Sequence, residues 1–487
     1  MPATPEHSEL RNKIPPPTHS TPSVIFWILT AIISFAPLPL GSNRPLPAAL
    51  AAAATGILLL CSSSLSLSTS QGKPQRQPKP IQLAQLLVGL VCVWIFFQST
   101  SITTSTIVDP IWATAGPLLN RSGLGSISIN PNSSITGLMH LLTYVGVFYL
   151  SYQLGRDIKL ANRALQIVSL IGTIYCSYGL IVYLLGNDTI LIFRKWAYQA
   201  SLTSTFVNRN NFATFAGLSL LCSLAYLLTS LKPVLQQNRR GREMLVLVLE
   251  QLLVRARWYL AATILTSMAL LLTTSRGGVA SSLCAAAFLV FLVTGRRRRK
   301  NSNIIFLIMA GTALSALSIA FVVAGQGLAQ RIVHPGFEAS ADSRLSIYSI
   351  TADGIWSAPW TGVGFGTYQD AITAYMRSDM SPLLVWDKAH NTYLENTFEL
   401  GIPGAMLLFA SIFILGAVSL RGVQNRRRNV HIPAIGAAAT ALIGLHSLVD
   451  FSMQIPAVAM LFAYIIGNAT AQCSPSARTA KEKSFSS

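Results

Sequence analysis

Twelve apolar runs constrain this chain more than anything else in it. They fall at about 23–40, 46–68, 81–99, 135–153, 164–184, 212–230, 257–274, 279–295, 303–325, 402–420, 432–449 and 456–472. A run of roughly 17–25 apolar residues is long enough to cross the hydrocarbon of a bilayer as one helix. Of the 487 residues, 51% are hydrophobic and 11% charged, whereas a soluble domain carries about 25% charged residues. Length alone would suggest about three soluble domains. The runs replace that reading with one all-α polytopic membrane protein of about 12 transmembrane helices.

The runs also divide the charge. With the N-terminus placed in the cytoplasm, 26 of the 36 Lys and Arg and 6 of the 17 Asp and Glu lie on that side. The net is +20 inside and −1 outside. Each cytoplasmic segment contributes: Arg11 and Lys13, residues 69–80, 154–163, 231–257, Arg296 to Lys300, 421–428 and the tail. This is the positive-inside pattern. The net charge of +19 therefore reports topology, and nucleic-acid binding is excluded because the basic residues are scattered over span ends. The expected organisation is a cytoplasmic tail 1–22, helices one to nine over 23–325, a long external loop 326–401, helices ten to twelve over 402–472, and a cytoplasmic tail 473–487. The first run, with no small-residue cleavage site after it, reads as a retained helix rather than a signal peptide. Cys61, Cys92, Cys176, Cys222, Cys284 and Cys473 form no motif and read as small packing residues.

The cytoplasmic segments carry little chemistry. Residues 69–80 read as a polar linker and 242–257 as an amphipathic helix on the inner surface. The other side holds loops 100–134, 185–211 and 326–401, and loops that long are uncommon unless functional. In the last of them, Ala389-His390-Asn391-Thr392-Tyr393 opens a segment of helical spacing that Gly401 and Pro403 should end. Asn391 is the expected cap. His390 at such a helix start either caps it or, kept neutral by the helix dipole, serves as a general base.

Four further places carry polar chemistry at the same side. Asp342-Ser343-Arg344 is expected to open a helix with Ser343 as cap and Arg344 in its first turn, a site for an anion. The run Gly362-Val363-Gly364-Phe365-Gly366 follows no strand and lacks a Lys-Ser/Thr, so it reads as a turn and not as a nucleotide loop. Ser275-Arg276-Gly277 lies between two closely spaced runs, where Arg276 either snorkels or binds an anion. Asn208-Arg209-Asn210-Asn211 offers donors and acceptors suited to a phosphate or a sugar, or is a polar loop tip. His446 and Asp450 are spaced for contact along one helix. Their apolar surroundings make them either a structural pair or a functional one. The chain has no Asp-x-Asp, no P-loop, no His-Glu-x-x-His and no Gly-x-Ser-x-Gly, so neither a metal site nor a nucleotide cofactor is expected.

His390-Asn391, nine residues, then Gly401-x-x-Gly404 resembles the signature of the bacterial O-antigen ligase and O-antigen polymerase superfamily. Ser275-Arg276-Gly277 is similar to that family's Ser-Arg-Gly between spans. Arg344 with Trp356, Pro359 and the glycine run resembles its long-loop Arg segment. Leu38 to Pro45 and Val207 to Asn210 look like those of exopolysaccharide-type members. The resemblance implies a GT-C-like, metal-independent glycosyltransferase of the bacterial inner membrane, both termini cytoplasmic and its site periplasmic. The implied donor is a glycan on undecaprenyl pyrophosphate. The implied acceptor is a hydroxyl of a glycan, a lipid A core or another carrier. By resemblance His390 would activate that hydroxyl, Arg276 and Arg344 would bind the pyrophosphate, and Arg209, Asn208 and Asn391 would hold substrate. The competing expectation is a transporter or flippase of lipid-linked sugars, for which only His446 and Asp450 lie deep enough.

Overall fold

The computed structural model describes residues 21–68, 77–101, 106–118, 125–237, 239, 241–295, 338–376 and 386–473. Long apolar runs, whose backbone groups must be satisfied within the segment where water is absent, make these residues mostly helical. The helices are α1 (Thr21–Phe35), α2 (Pro45–Ser68), α3 (Lys79–Ser99), α4 (Ile111–Leu118), α5 (Pro131–Leu154), α6 (Ile158–Leu184), α7 (Arg209–Leu235), α8 (Gly241–Glu250), α9 (Arg257–Leu272), α10 (Arg276–Thr294), α11 (Glu338–Ser357), α12 (Tyr368–Ile372), α13 (Thr392–Asn425), α14 (His431–His446) and α15 (Pro456–Ala471). Among the described residues the one sheet is a two-stranded antiparallel hairpin, β1 (Thr189–Ile190) with β2 (Phe193–Arg194), pairing Thr189 with Arg194 and Ile190 with Phe193.

Among the described residues seven helices are long and apolar enough to cross a membrane: α2, α3, α5, α6, α7, α10 and α13. The shorter apolar helices α1, α9, α14 and α15 accompany them. The protein is thus an all-α, multi-pass membrane protein. Eleven of the expected runs fall on these eleven helices, and the run 303–325 lies outside the described residues. So do the basic run Arg296 to Lys300 and residues 326–337 of the expected loop. The first helix stops at Phe35, short of the expected 40, since Pro37 and Pro39 cannot continue the hydrogen-bond ladder.

The core sits around α7 and α15. Every residue of α15 is buried, and α7 is buried from Asn210 to Ser223. Small residues permit this density. A Cβ at Gly172 of α6 would collide with Ser219 of α7, and one at Gly436 of α14 would meet the Ala469 methyl of α15. Lipid gives helices no hydrophobic reason to associate, so close approach through small residues supplies the packing. Of the expected amphipathic segment 242–257, the part up to Glu250 is α8, which buries Met244 and Val248 against Leu231, Val234 and Leu235.

One expected boundary is corrected. The helix carrying Arg344 begins at Glu338, so Ser343 is not its cap and Arg344 is not in its first turn. Glu338-Ala339-Ser340-Ala341 contains no helix breaker and simply extends the helix backwards.

Candidate active site

The segment from 386 to 401 is built from a cap, a left-handed residue and a break. Asn391 Oδ1 accepts from the backbone amides of Tyr393 (3.0 Å) and Leu394 (3.1 Å), so Asn391 is the cap that the sequence reading expects. The helix it opens stops being helical at Gly401, with φ 73° and ψ 165°, and resumes as the apolar span. The carbonyls stranded by this break find donors elsewhere. Leu400 O accepts from Trp94 Nε1 (3.0 Å), and Glu399 O accepts from Gln98 Nε2 (2.9 Å) and from the Gly364 amide (3.0 Å). Such satisfaction is obligatory away from water. It also explains the glycine run. A Cβ at Gly362, which has φ 64°, would collide with the backbone of Glu399. The run is therefore a turn, as read, and its tightness lets it lie against the break.

His390 is half-buried with φ 53°, a left-handed conformation that costs a non-glycine residue about 1–3 kcal/mol. Its carbonyl accepts from Tyr348 Oη of α11 (3.0 Å). Its ring stands edge-on to Phe451 (5.1 Å between centroids) and to Trp386 (6.3 Å). Directly before it, the buried carboxylate of Glu395 accepts from the Ala389 amide (2.9 Å) and from Lys388 Nζ (3.2 Å). Burial works against the Lys388 ammonium, but the charges of Glu395 and Glu399 outweigh it and hold its pKa above the ordinary lysine value. Directly after it, Thr392 is anchored to the 447–450 turn, its amide on Ser447 O (2.9 Å) and its hydroxyl on Asp450 O (2.7 Å).

The arginine segments arrive at the same end of the bundle. Asn208 caps α7 by accepting from the Asn210 amide (2.8 Å). Arg209 Nη1 donates to Thr274 Oγ1 (2.8 Å) and Ser201 Oγ (3.3 Å), and its guanidinium lies 5.4 Å from the Tyr198 ring centroid. Thr274 precedes Ser275, the cap of α10, whose Oγ accepts from the Gly278 amide. Arg276 is the first residue of that helix and is exposed. Gly277 leaves room for His446, whose ring carbon Cδ2 would stand 3.3 Å from a Cβ there.

His446 and Asp450 are not a turn apart on one helix, because α14 ends at His446. Polar side chains of α7 and the following turn bridge them. Thr214 Oγ1 is 2.7 Å from His446 Nδ1 and donates to Ser452 Oγ, which in turn donates to Asp450. Asp450 also accepts from Asn210 Nδ2 (3.0 Å). Every one of these contacts is buried. The network joins Arg209's helix to the turn that holds Thr392, which is a structural task.

Arg344 lies in α11 one turn before Tyr348, and its side chain is outside the described residues. The structure therefore brings Asn208, Arg209, Arg276, His390 and Asn391 to one end and puts the backbone of Arg344 on the helix that touches His390. Lys388, Glu395 and Glu399 were missed in the sequence. The four-residue spacing of the two carboxylates was the available signal.

A cavity of about 1050 Å³ runs along the 392–400 helix, lined there by Thr392, Glu395 and Asn396. Asn130, Asn132, His140, Lys388 and Asn396 line its polar part, and Val145, Phe148, Phe409, Ile412 and Phe462 its apolar part.

Residues 261–409 match the family model described as O-antigen ligase. Over that stretch the chain is similar to the O-antigen ligase family. The matched stretch is about three-tenths of the chain and contains Arg276, Arg344, His390 and Asn391. Arg209, His446 and Asp450 of the same end lie outside it. No curated protein matches the chain.

Proposed function

We propose that this protein transfers a glycan from an undecaprenyl-pyrophosphate carrier to an acceptor hydroxyl at the periplasmic face of the bacterial inner membrane. What carries the reading is the meeting of Arg209, Arg276 and the His390 turn, from three separate segments, at one end of a membrane bundle. The charge asymmetry of the chain supports a periplasmic position for that end. The cavity, polar at one part and apolar at the other, suits an amphiphile.

In the proposed step His390 accepts the proton of the acceptor hydroxyl. The oxygen attacks the anomeric carbon of the donor glycan, and the glycosyl–phosphate bond breaks with its electron pair going to the pyrophosphate. Arg276 and Arg344, with Arg209 beside them, stabilise the charge that develops on that leaving group. Preformed cations aimed at developing charge act most strongly where water is excluded. Asn208 and Asn391 hold the helix starts that carry Arg209 and His390. No nucleotide is consumed, since the lipid pyrophosphate is itself the activated group.

The test is reconstitution in vesicles with a lipid-linked repeat unit. Chain growth without another acceptor identifies a polymerase, and transfer only after a second glycolipid is added identifies a ligase. In cells, His390→Ala should leave inserted protein and accumulated lipid-linked glycan. Undiminished transfer by His390→Ala removes the reading. Movement of the lipid-linked glycan across the bilayer with no glycosidic bond formed would replace it with a transporter.

A further inference from the structure

We infer that Glu395 and Tyr348 are positioning residues that hold His390 in its reactive orientation, an inference resting on the reading of His390 as the base. The observation is that a strained residue is clamped on both sides by side chains from different elements. At φ 53° the His390 backbone sits where a residue with a Cβ is disfavoured, so the fold must over-determine it. Glu395 grips the chain one residue before, taking the Ala389 amide on Oε2 and the Lys388 ammonium on Oε1. Tyr348 grips His390 itself through its carbonyl, reaching across from α11.

A carboxylate that is fully buried is costly unless paired and hydrogen-bonded. Glu395 has both, and its partners all lie within the turn that presents His390. Glu399, one turn on, extends the same arrangement by accepting the Tyr368 amide (3.0 Å) and so ties α12 to this helix. Neither Glu395 nor Tyr348 needs to touch substrate. Their work is to set where the imidazole points, and α11 makes Tyr348 and Arg344 parts of one rigid element. A displacement of about 1 Å at a reacting group can cost about 10²-fold in rate.

The experiment compares Glu395→Gln, Tyr348→Phe and His390→Ala, singly and combined, in vesicles with lipid-linked repeat unit as probe. Glu395→Gln keeps the side chain's shape but loses the ion pair, and Tyr348→Phe keeps the ring but loses the hydrogen bond. Each single variant is expected to lower kcat about 10–100-fold while leaving the donor KM unchanged, as loss of a transition-state-only contribution requires. In the His390→Ala background neither should lower the residual rate further. Wild-type kcat in both variants, with His390→Ala inactive, overturns the inference and leaves the function reading standing. Additive losses in the double variants also overturn it. Full activity of His390→Ala overturns the reading beneath it. Should Glu395→Gln fail to insert or fold, judged by thermal unfolding in detergent, Tyr348→Phe alone decides.

Discussion

Arg209 and Thr274 are joined by a 2.8 Å hydrogen bond that ties the start of one transmembrane helix to the residue before the cap of another. Arg276 begins that second helix. Two arginines separated by 67 positions are thereby held in a common frame, in which the Thr274 hydroxyl makes the shorter of the two hydrogen bonds to Arg209.

Thr274→Val removes that hydroxyl and preserves the shape. A hydrogen bond to a charged group contributes about 1.5–3 kcal/mol, or roughly 10–100-fold in an equilibrium constant. Steady-state transfer kinetics should show the donor KM about tenfold higher, with kcat little altered. An unchanged KM would detach Arg209 from donor binding.

Arg276→Ala is expected to lower kcat about 10²–10³-fold, the usual loss when one charge-stabilising donor is removed. Arg276→Lys should recover only part of it, because a compact ammonium cannot reproduce the planar fork that fits phosphate oxygens. The measurement is the initial rate of glycan transfer at saturating donor. Equal rates for the lysine and arginine proteins would show that the fork is not used.

The break at Gly401 is a conformational requirement. Its φ of 73° and ψ of 165° lie in a region open essentially to glycine alone, and an added Cβ would stand 2.6 Å from Trp360 O. Gly401→Ala should destabilise the protein by about 1–3 kcal/mol or more, visible as a lowered Tm in detergent. A Tm equal to the parent's would mean that the break relaxes into continuous helix.

Lys195 offers a test by pH. It lies in the 185–208 loop, is 3% exposed, and donates to Asn187 Oδ1 (3.0 Å) and Ser201 O (2.6 Å), both neutral. Burial pushes its pKa down to about 8. The unfolded chain, with lysine at its ordinary value of about 10.4, then holds more protons than the folded one between those values. Stability should therefore rise with pH through that window, by at most about 1.4 kcal/mol per pH unit, and be flat below it. Lys195→Met should remove the rise in Tm between pH 8 and 10. A rise of the same size in the variant would assign it to another group.

Much of this fold was legible because a membrane enforces a simple pattern. Apolar runs of span length became helices, and local signals at Asn391 and Gly401 acted where they stood. What was not legible is what distant segments do to each other. Nothing near Gln98 or Trp94 says that they supply donors to a break some 300 residues away. The same holds for His446 and Asp450, whose spacing pointed to each other while Thr214 of another helix took the contact. Glu395 was missed, since burial of its carboxylate is decided by tertiary packing. The start of α11 at Glu338 was missed because a good local cap at Ser343 competed with an uninterrupted helix and lost.

The discontinuity at Gly401 also has a mechanical meaning. A span must tilt to suit the thickness of its bilayer, and a continuous helix would carry His390 with it. Here the outer piece is fastened to Asp450, Tyr348 and Gln98, and the inner piece meets it at a joint. The angle of the turn is thus set by these contacts and not by the direction of the span. Transfer rates in short-chain and long-chain bilayers should accordingly differ little, and a steep dependence on chain length would show that the joint is stiff.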